Sequence, residues 1–159
     1  MARPPKLHLE KFLPYRLSVL SNTVSSAIAA AYFMNFGLSI PEWRVMAVLA
    51  ANPGLSAAEV TARTAMDKVA VSRAVASLLS AGRLHRTTAP ADRRRTHLAL
   101  TTAGSRVYAR VVPMALQYER NLLASLSARD RATLDRLVRV LLGRAVELGP
   151  AHSDWAPHV

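Results

Sequence analysis

Residues 56–104 read SAAEVTARTAMDKVAVSRAVASLLSAGRLHRTTAPADRRRTHLALTTAG, and their reading decides the fold. Ser56-Ala57-Ala58-Glu59 has capping-box spacing, in which a serine oxygen and a glutamate carboxylate satisfy first-turn amides. A short helix starts there, carries Val60 inward and stops near Thr64. Asp67 is a good N-cap for a second helix running to about Ser80, with Val71, Val75, Leu78 and Leu79 on its buried face and Gly82 as its stop. Two short extended runs follow, at 84–88 and 96–101. In the second, Leu98 and Leu100 alternate with His97 and Ala99, which is strand periodicity. Between the runs lies the turn Ala89-Pro90-Ala91-Asp92-Arg93-Arg94-Arg95. Helix, turn, helix and a two-stranded ribbon make a winged helix-turn-helix unit, a shape suited to holding duplex DNA.

The charge in this stretch agrees. Arg63, Lys68, Arg73, Arg83, Arg86, Arg93, Arg94 and Arg95 face only two acids, Asp67 and Asp92, in residues 63–95. The whole chain carries a formal charge of +11, from 21 basic and 10 acidic residues, 18 of the basic ones arginines. Such an excess favours a polyanionic partner. Genomic base composition accounts for part of the arginine count but not for its clustering. Opposite its apolar face the second helix exposes Lys68, Ala70, Ser72, Arg73 and Ser77. Small and hydrogen-bonding residues there permit close approach to base edges. Arg73 suits a guanine edge or a phosphate, Ser72 either, and Lys68 a phosphate. At the wing, Asp92 is placed to steady one arginine. Arg93 and Arg94 are the residues expected to contact DNA, reaching a narrow minor groove, with Arg95 on a phosphate or along the ribbon.

Outward from this unit the chain is helical. An apolar pattern runs from Leu7 through Phe12, Tyr15, Val19, Leu20, Val24, Ile28 and Tyr32 to Phe36. Pro14 should break or kink it, and Gly37 ends it. Ile40-Pro41-Glu42-Trp43 opens a further helix that stops at Asn52-Pro53-Gly54. Thr101 or Thr102 caps a helix running to about Ser125, with Pro113 as an expected kink. Ser127 and Asp130 start the last helix, whose stripe is Leu134, Leu137, Val138, Leu141, Leu142, Ala145 and Leu148. The fold class is therefore mainly α with a small β-wing. The first and last helices are too apolar to stand alone beside so small a lobe, so they need a partner surface.

Several classes are excluded. With no cysteine there are no disulfides, thiolate metal sites or thiol nucleophiles. The five histidines show no metal-ligand spacing, and His8 reads as an ordinary surface residue. No Gly-rich phosphate loop, HExxH motif or Ser-His-Asp arrangement is present, so the chain is not read as an enzyme and no cofactor is expected. The first 15 residues lack the apolar segment of a secretory signal. Residues 17–40 come closest to a membrane span but carry many Ser and Asn positions. The expectation is a soluble, cytoplasmic protein with no membrane partner.

Asp92-Arg93-Arg94 followed by Leu98-x-Leu100-Thr101-x-x-Gly104 resembles the wing signature of the MarR family of transcriptional regulators. Met66-Asp67-Lys68 through Val71-Ser72-Arg73 to Gly82 is similar to that family's recognition helix, and Pro41-Glu42-Trp43-Arg44 to the opening of its second helix. Arg83 departs from the pattern, which has an apolar residue after the glycine. The resemblance covers about residues 7–148 and implies an obligate homodimer. Its expected division is an N-terminal arm and dimerisation helix (1–36), a winged helix-turn-helix lobe (37–101), C-terminal dimerisation helices (102–149) and a tail (150–159). It also implies a pseudo-palindromic operator and, in most members, repression relieved by a small phenolic or aromatic acid. By family position the effector site would be lined by the first, second and fifth helices, with Tyr15, Arg16, Ser18 and Asn22 on the first and Trp43 and Arg44 on the second. An arginine, an aromatic ring and an amide suit an aromatic carboxylate. The plainer assignment leaves Tyr15 and Trp43 as core and Arg44 as a structural contact. Beside the repressor stands a second reading, an architectural or ligand-independent DNA-binding protein of the same fold.

Overall fold

The computed structural model describes residues 6–89 and 92–149, with side chains described throughout except at 88, 89 and 92–95. Among the described residues a 3-10 turn, Leu9–Lys11, precedes six α-helices and two strands: α1 Leu13–Phe36, α2 Ile40–Ala51, α3 Ala57–Arg63, α4 Lys68–Ser80, β1 Leu84–Ala89, β2 Asp92–Leu100, α5 Thr102–Leu122 and α6 Ala128–Glu147. The break expected at Pro14 falls just before it, between the 3-10 turn and α1, and Pro14 itself does not interrupt α1. It lies in the first turn of α1, where its missing N–H has no helical partner to lose. The apolar run from Leu7 is thus split into a turn and a helix just before that proline.

The caps explain the boundaries. Ser39 with Glu42 and Ser56 with Glu59 form full capping boxes. The Asp67 carboxylate accepts from the Ala70 N–H at 2.7 Å, and Ser127 caps α6. Gly37, with φ 57°, ends α1 in the left-handed region, where a side chain would be strained.

The chain forms two compact units, Met1–Leu116 and Gln117–Val159. In the first, the core consists of Tyr32 from α1, Leu38, then Val45, Met46 and Leu49 from α2, Val60 from α3, Val71, Ala74, Val75 and Leu78 from α4, Leu84 and Leu98 from the strands, and Val111 from α5. The strands pair antiparallel from Leu84↔Leu100 to Thr88↔Thr96, and an irregularity lets Ala89 meet Asp92. β2 therefore begins four residues earlier than alternation predicts, because the ladder resumes at Asp92 beyond three arginines that fall in the irregularity and carry no apolar pattern. A third segment ties the ribbon down. The Leu98 N–H donates to Leu55 O at 2.8 Å, and the Gly54 N–H to Leu98 O at 2.9 Å. In the second unit, α6 buries none of its residues, and Leu134, Leu137, Val138, Leu141 and Leu142 all face solvent.

By length and composition α1 could cross a membrane. Its interior carries Ser18, Ser21, Asn22, Thr23, Ser25 and Ser26, which such a span would have to satisfy.

Candidate nucleic-acid interface

α4 is positioned by its apolar side. Val71, Ala74, Val75 and Leu78 fall on one line and pack into the core beneath α2 and α3. At about 100° per residue, Val69, Arg73, Ala76 and Ser80 point directly away from that line. Ser72 flanks this outward stripe on one edge, and Ala70 and Ser77 on the other; Lys68, nearly in line with Val75, stands toward α3 beside Val71 and Ser72. Lys68, Ser72 and Arg73 are exposed, as their expected role requires.

Ala70 and Ser77 are engaged differently. Ala70 is half-buried and lines the cleft against Ser39, Pro41 and Glu42 at the start of α2. The Ser77 hydroxyl donates to Glu42 Oε1 at 2.6 Å, a bond across 35 residues that ties α4 to α2. These two positions thus face α2 rather than outward. Val69, Ala76 and Ser80, which stand outermost, are absent from the set expected on sequence. Helical phase alone marks them, but valine and alanine read as core in a pattern search.

Glu42 is the hub of this junction. Its Oε2 accepts from the Ser39 N–H at 2.7 Å and the Ser39 hydroxyl at 2.6 Å. Partial burial pushes its carboxyl pKa up, but the hydrogen bonds from Ser39 and Ser77 and the nearby Arg83 charge outweigh this and hold it below the ordinary value. Arg83, the residue that departs from the family pattern, has a clear task. Its Nη2 donates to Phe36 O at 2.7 Å and its Nη1 to Gly37 O at 3.4 Å, placing a cation at the negative end of α1. The chain leaving α4 is thereby fastened to the end of α1. Arg83 O accepts from the Thr101 N–H, and Gly104 packs so close to that carbonyl that a Cβ would overlap it.

The wing base is fixed on its other side by His97. Its Nδ1 stands 2.6 Å from Gly54 O, and since a carbonyl only accepts, Nδ1 carries the proton. Glu59, beside it, has its pKa lowered by the Ser56 N–H and hydroxyl bonds, with small contributions from Arg63 and His97. The side chains of Asp92, Arg93, Arg94 and Arg95 lie outside the described residues. Their backbones are on β2, continuous with this anchored ribbon.

The effector candidates do not converge within one chain. Trp43 is half-buried, tilted against Tyr32 of α1 with centroids 5.4 Å apart and stacked on Tyr108 of α5 at 5.5 Å. Tyr15 is 17 residues before Tyr32 on the same helix, about 25 Å at 1.5 Å per residue, and Asn22 about 15 Å. Tyr15, Arg16, Ser18 and Asn22 are exposed at the far end of α1 from Trp43. Ser18 donates back to Pro14 O. Arg44 Nη1 reaches Ala65 O at 3.5 Å, a long bond to the turn between α3 and α4. The fifth helix is expected at this site by family position, but Tyr32 and Tyr108 are not singled out on sequence, because contact between three helices has no local signature. Among the described residues no group of three His, Asp or Glu side chains is arranged to hold a metal ion.

The model of the MarR family matches residues 36–95, which spans α2 through the wing. A putative transcriptional regulatory protein for the hcr operon of Thauera aromatica is 32% identical over 97 residues, 61% of this chain and 58% of that protein. The match thus spans a little over half of that relative's length. A MarR/EmrR family regulator from Acinetobacter sp. ADP1 superposes with a TM-score of 0.82 at 23% identity, covering 89% of this chain and 99% of that one. The PcaV transcriptional regulator of Streptomyces coelicolor, solved in complex with its natural ligand, gives 0.73 at 25% identity with the same coverages. A mutant MarR from Escherichia coli, complexed with operator DNA, gives 0.75 at 22%, covering 87% and 99%.

Proposed function

We propose that the chain, whose residues 36–95 match the model of the MarR family, is a winged-helix transcriptional regulator of that family, homodimeric and sequence-specific in its DNA binding. In this reading it is a cytoplasmic repressor that leaves a pseudo-palindromic operator when a small aromatic or phenolic acid binds. The observation that carries the DNA reading is the outward stripe of α4. It presents Arg73 and Ser72 beside Lys68 on a helix whose C-terminal end is fastened to α2 through Ser77 and to α1 through Arg83, next to an anchored basic wing. Rigid placement matters because base-edge hydrogen bonds tolerate little misalignment. Lys68 and the wing arginines Arg93, Arg94 and Arg95 supply phosphate and minor-groove attraction, with Asp92 steadying the wing.

The homodimer is supported by apolar side chains that one chain leaves in water. Leu7, Phe12, Leu13, Leu17 and Leu20 at the start of the molecule, and the α6 stripe at its end, are all exposed. Patches of this kind mark association surfaces. Two-fold symmetry would set the two α4 helices about one DNA turn apart, roughly 34–36 Å.

For the effector, the aromatic wall of Tyr32, Trp43 and Tyr108 offers a stacking surface for a ring. Tyr15, Arg16, Ser18 and Asn22 are too far along α1 to complete a site with Trp43 in the same chain. In the proposed dimer they join it from the second copy, with Arg16 or Arg44 pairing the carboxylate.

The test is a mobility shift on the DNA upstream of the chain's own gene, with and without aromatic carboxylates first selected for thermal stabilisation. The reading expects a shifted complex that falls apart with rising salt, is weakened at least about tenfold by Arg73→Ala, and is released by a stabilising acid. A complex that no stabilising acid releases supports the ligand-independent reading instead. A chain that shifts no duplex overturns both.

A further inference from the structure

Val69 is 59% exposed, an unusual place for a large apolar side chain on an otherwise small and polar helix face. It stands in the first turn of α4, next to the Asp67 cap, and four residues before Arg73. That spacing places the two side chains on adjacent turns of one stripe. The buried line of α4 has no use for Val69, since Val71, Ala74, Val75 and Leu78 already fill it. β-branched residues also form helix less readily than the alanines around it, so local propensity does not favour valine here. A lone exposed valine is ordinary on a protein surface. This one sits on the helix face that Lys68, Ser72 and Arg73 surround with hydrogen-bond donors.

We propose that Val69 is a specificity-determining residue that reads the C5-methyl group of a thymine in the major groove. This deepens the DNA-binding reading above and rests on it. The reasoning is chemical. Among the base edges of the major groove, only the thymine methyl offers apolar surface; every other feature is a hydrogen-bond donor or acceptor. A branched aliphatic side chain entering that groove therefore has one complementary partner. Any donor or acceptor it covers is left unsatisfied, which makes the preference discriminating rather than merely permissive. The Asp67 cap holds the first turn in place through the Ala70 N–H, so Val69 enters the groove in a fixed orientation. Arg73, one turn on, addresses a neighbouring base pair of the same half-site.

Selection of duplexes from a random pool by the full chain supplies the probe. Each thymine enriched in the selected half-site is then replaced, one at a time, by deoxyuridine, which removes only the methyl group. At one such position the wild type is expected to lose about fourfold in affinity, the equivalent of one buried methyl at about 0.8 kcal/mol. Val69→Ala is expected to bind the thymine and deoxyuridine duplexes equally well, while keeping the thermal stability of the wild type because the side chain supports no core. If every deoxyuridine duplex binds within about twofold of the parent, the inference is overturned while the DNA-binding reading stands. A Val69→Ala variant that discriminates as strongly as the wild type overturns it equally. If no sequence is enriched at all, the DNA-binding reading itself fails.

Discussion

α4 and α6 are built from the same elements. Each is amphipathic and opens on a side-chain cap, Asp67 for α4 and Ser127 for α6. In α4 the apolar side is covered: Val71, Ala74, Val75 and Leu78 are all buried against α2, α3 and the strands. In α6 nothing is covered, and Leu137, Val138 and Leu141 remain more than 40% exposed. A helix of 20 residues does not hold such a stripe in water for its own sake, since most helical stability in proteins comes from packing an apolar face. One helix has its apolar side covered inside the chain, and the other leaves its stripe exposed, the face on which the proposed dimer rests. Under the proposed function, α4 is the element that presents a reading face and α6 the element that a second copy covers.

The largest expected effect comes from charging the uncovered stripe. Leu137→Asp combined with Leu141→Asp should weaken self-association by more than about 100-fold, because burying an unpaired carboxylate costs several kcal/mol. Sedimentation over a concentration series reads this directly, and unchanged association would show that α6 is not the contact.

A sharper version pairs two leucine truncations. Leu78→Ala removes a fully buried side chain and should cost about 2–5 kcal/mol in chemical denaturation. Leu141→Ala, measured in a Leu137→Asp chain diluted until it is monomeric, should cost less than about 0.5 kcal/mol. Equal costs would mean that α6 packs within its own chain and would dissolve the contrast.

Next in size is Gly104→Ala. The new Cβ meets the Arg83 carbonyl, so the β2–α5 junction must shift, and a loss of about 1–3 kcal/mol is expected. A thermal midpoint unchanged from the wild type would show that this junction gives way freely.

The smallest effect is a pH dependence at the α2–α4 junction. The Glu42 carboxyl is held below its ordinary value of 4.5 in the fold. A depressed carboxyl contributes stability that is fully present above the unfolded value and is lost as pH falls through the folded one. Denaturation midpoints should therefore decline more steeply below about pH 4.5 in the wild type than in Glu42→Gln. Parallel curves would remove Glu42 from the clamp.

Much of the fold is legible in the sequence because the relevant signals are local. Ser56 with Glu59, Asp67, Gly37, Gly82 and Ser127 with Asp130 announce helix ends within three or four residues, and the helices end there. Leu98 and Leu100 reveal half of β2, whereas the arginine half falls in the irregularity before Thr96 and has no periodicity to read. What the sequence hides is long-range. The bond from Ser77 to Glu42 spans 35 residues, and the Arg83 cap on α1 spans 46 and 47. Such contacts leave no spacing in the sequence, so Ser77 reads as a free surface hydroxyl and Arg83 as an anomaly. Resemblance groups Tyr15 with Trp43, while the length of α1 separates them within one chain. Val69 is hidden for the opposite reason: its chemistry looks like core, and only its helical phase places it outside.

The central claim is that the stripe of α4 and the wing together read a DNA sequence as a symmetric pair. Fluorescence anisotropy at about 0.15 M salt, comparing a duplex selected from a random pool with a scrambled duplex of equal composition, tests it most directly. The account predicts two chains per selected duplex and an affinity ratio of about 10³ or more over the scrambled one. A ratio near one, or a single chain per duplex, would contradict it.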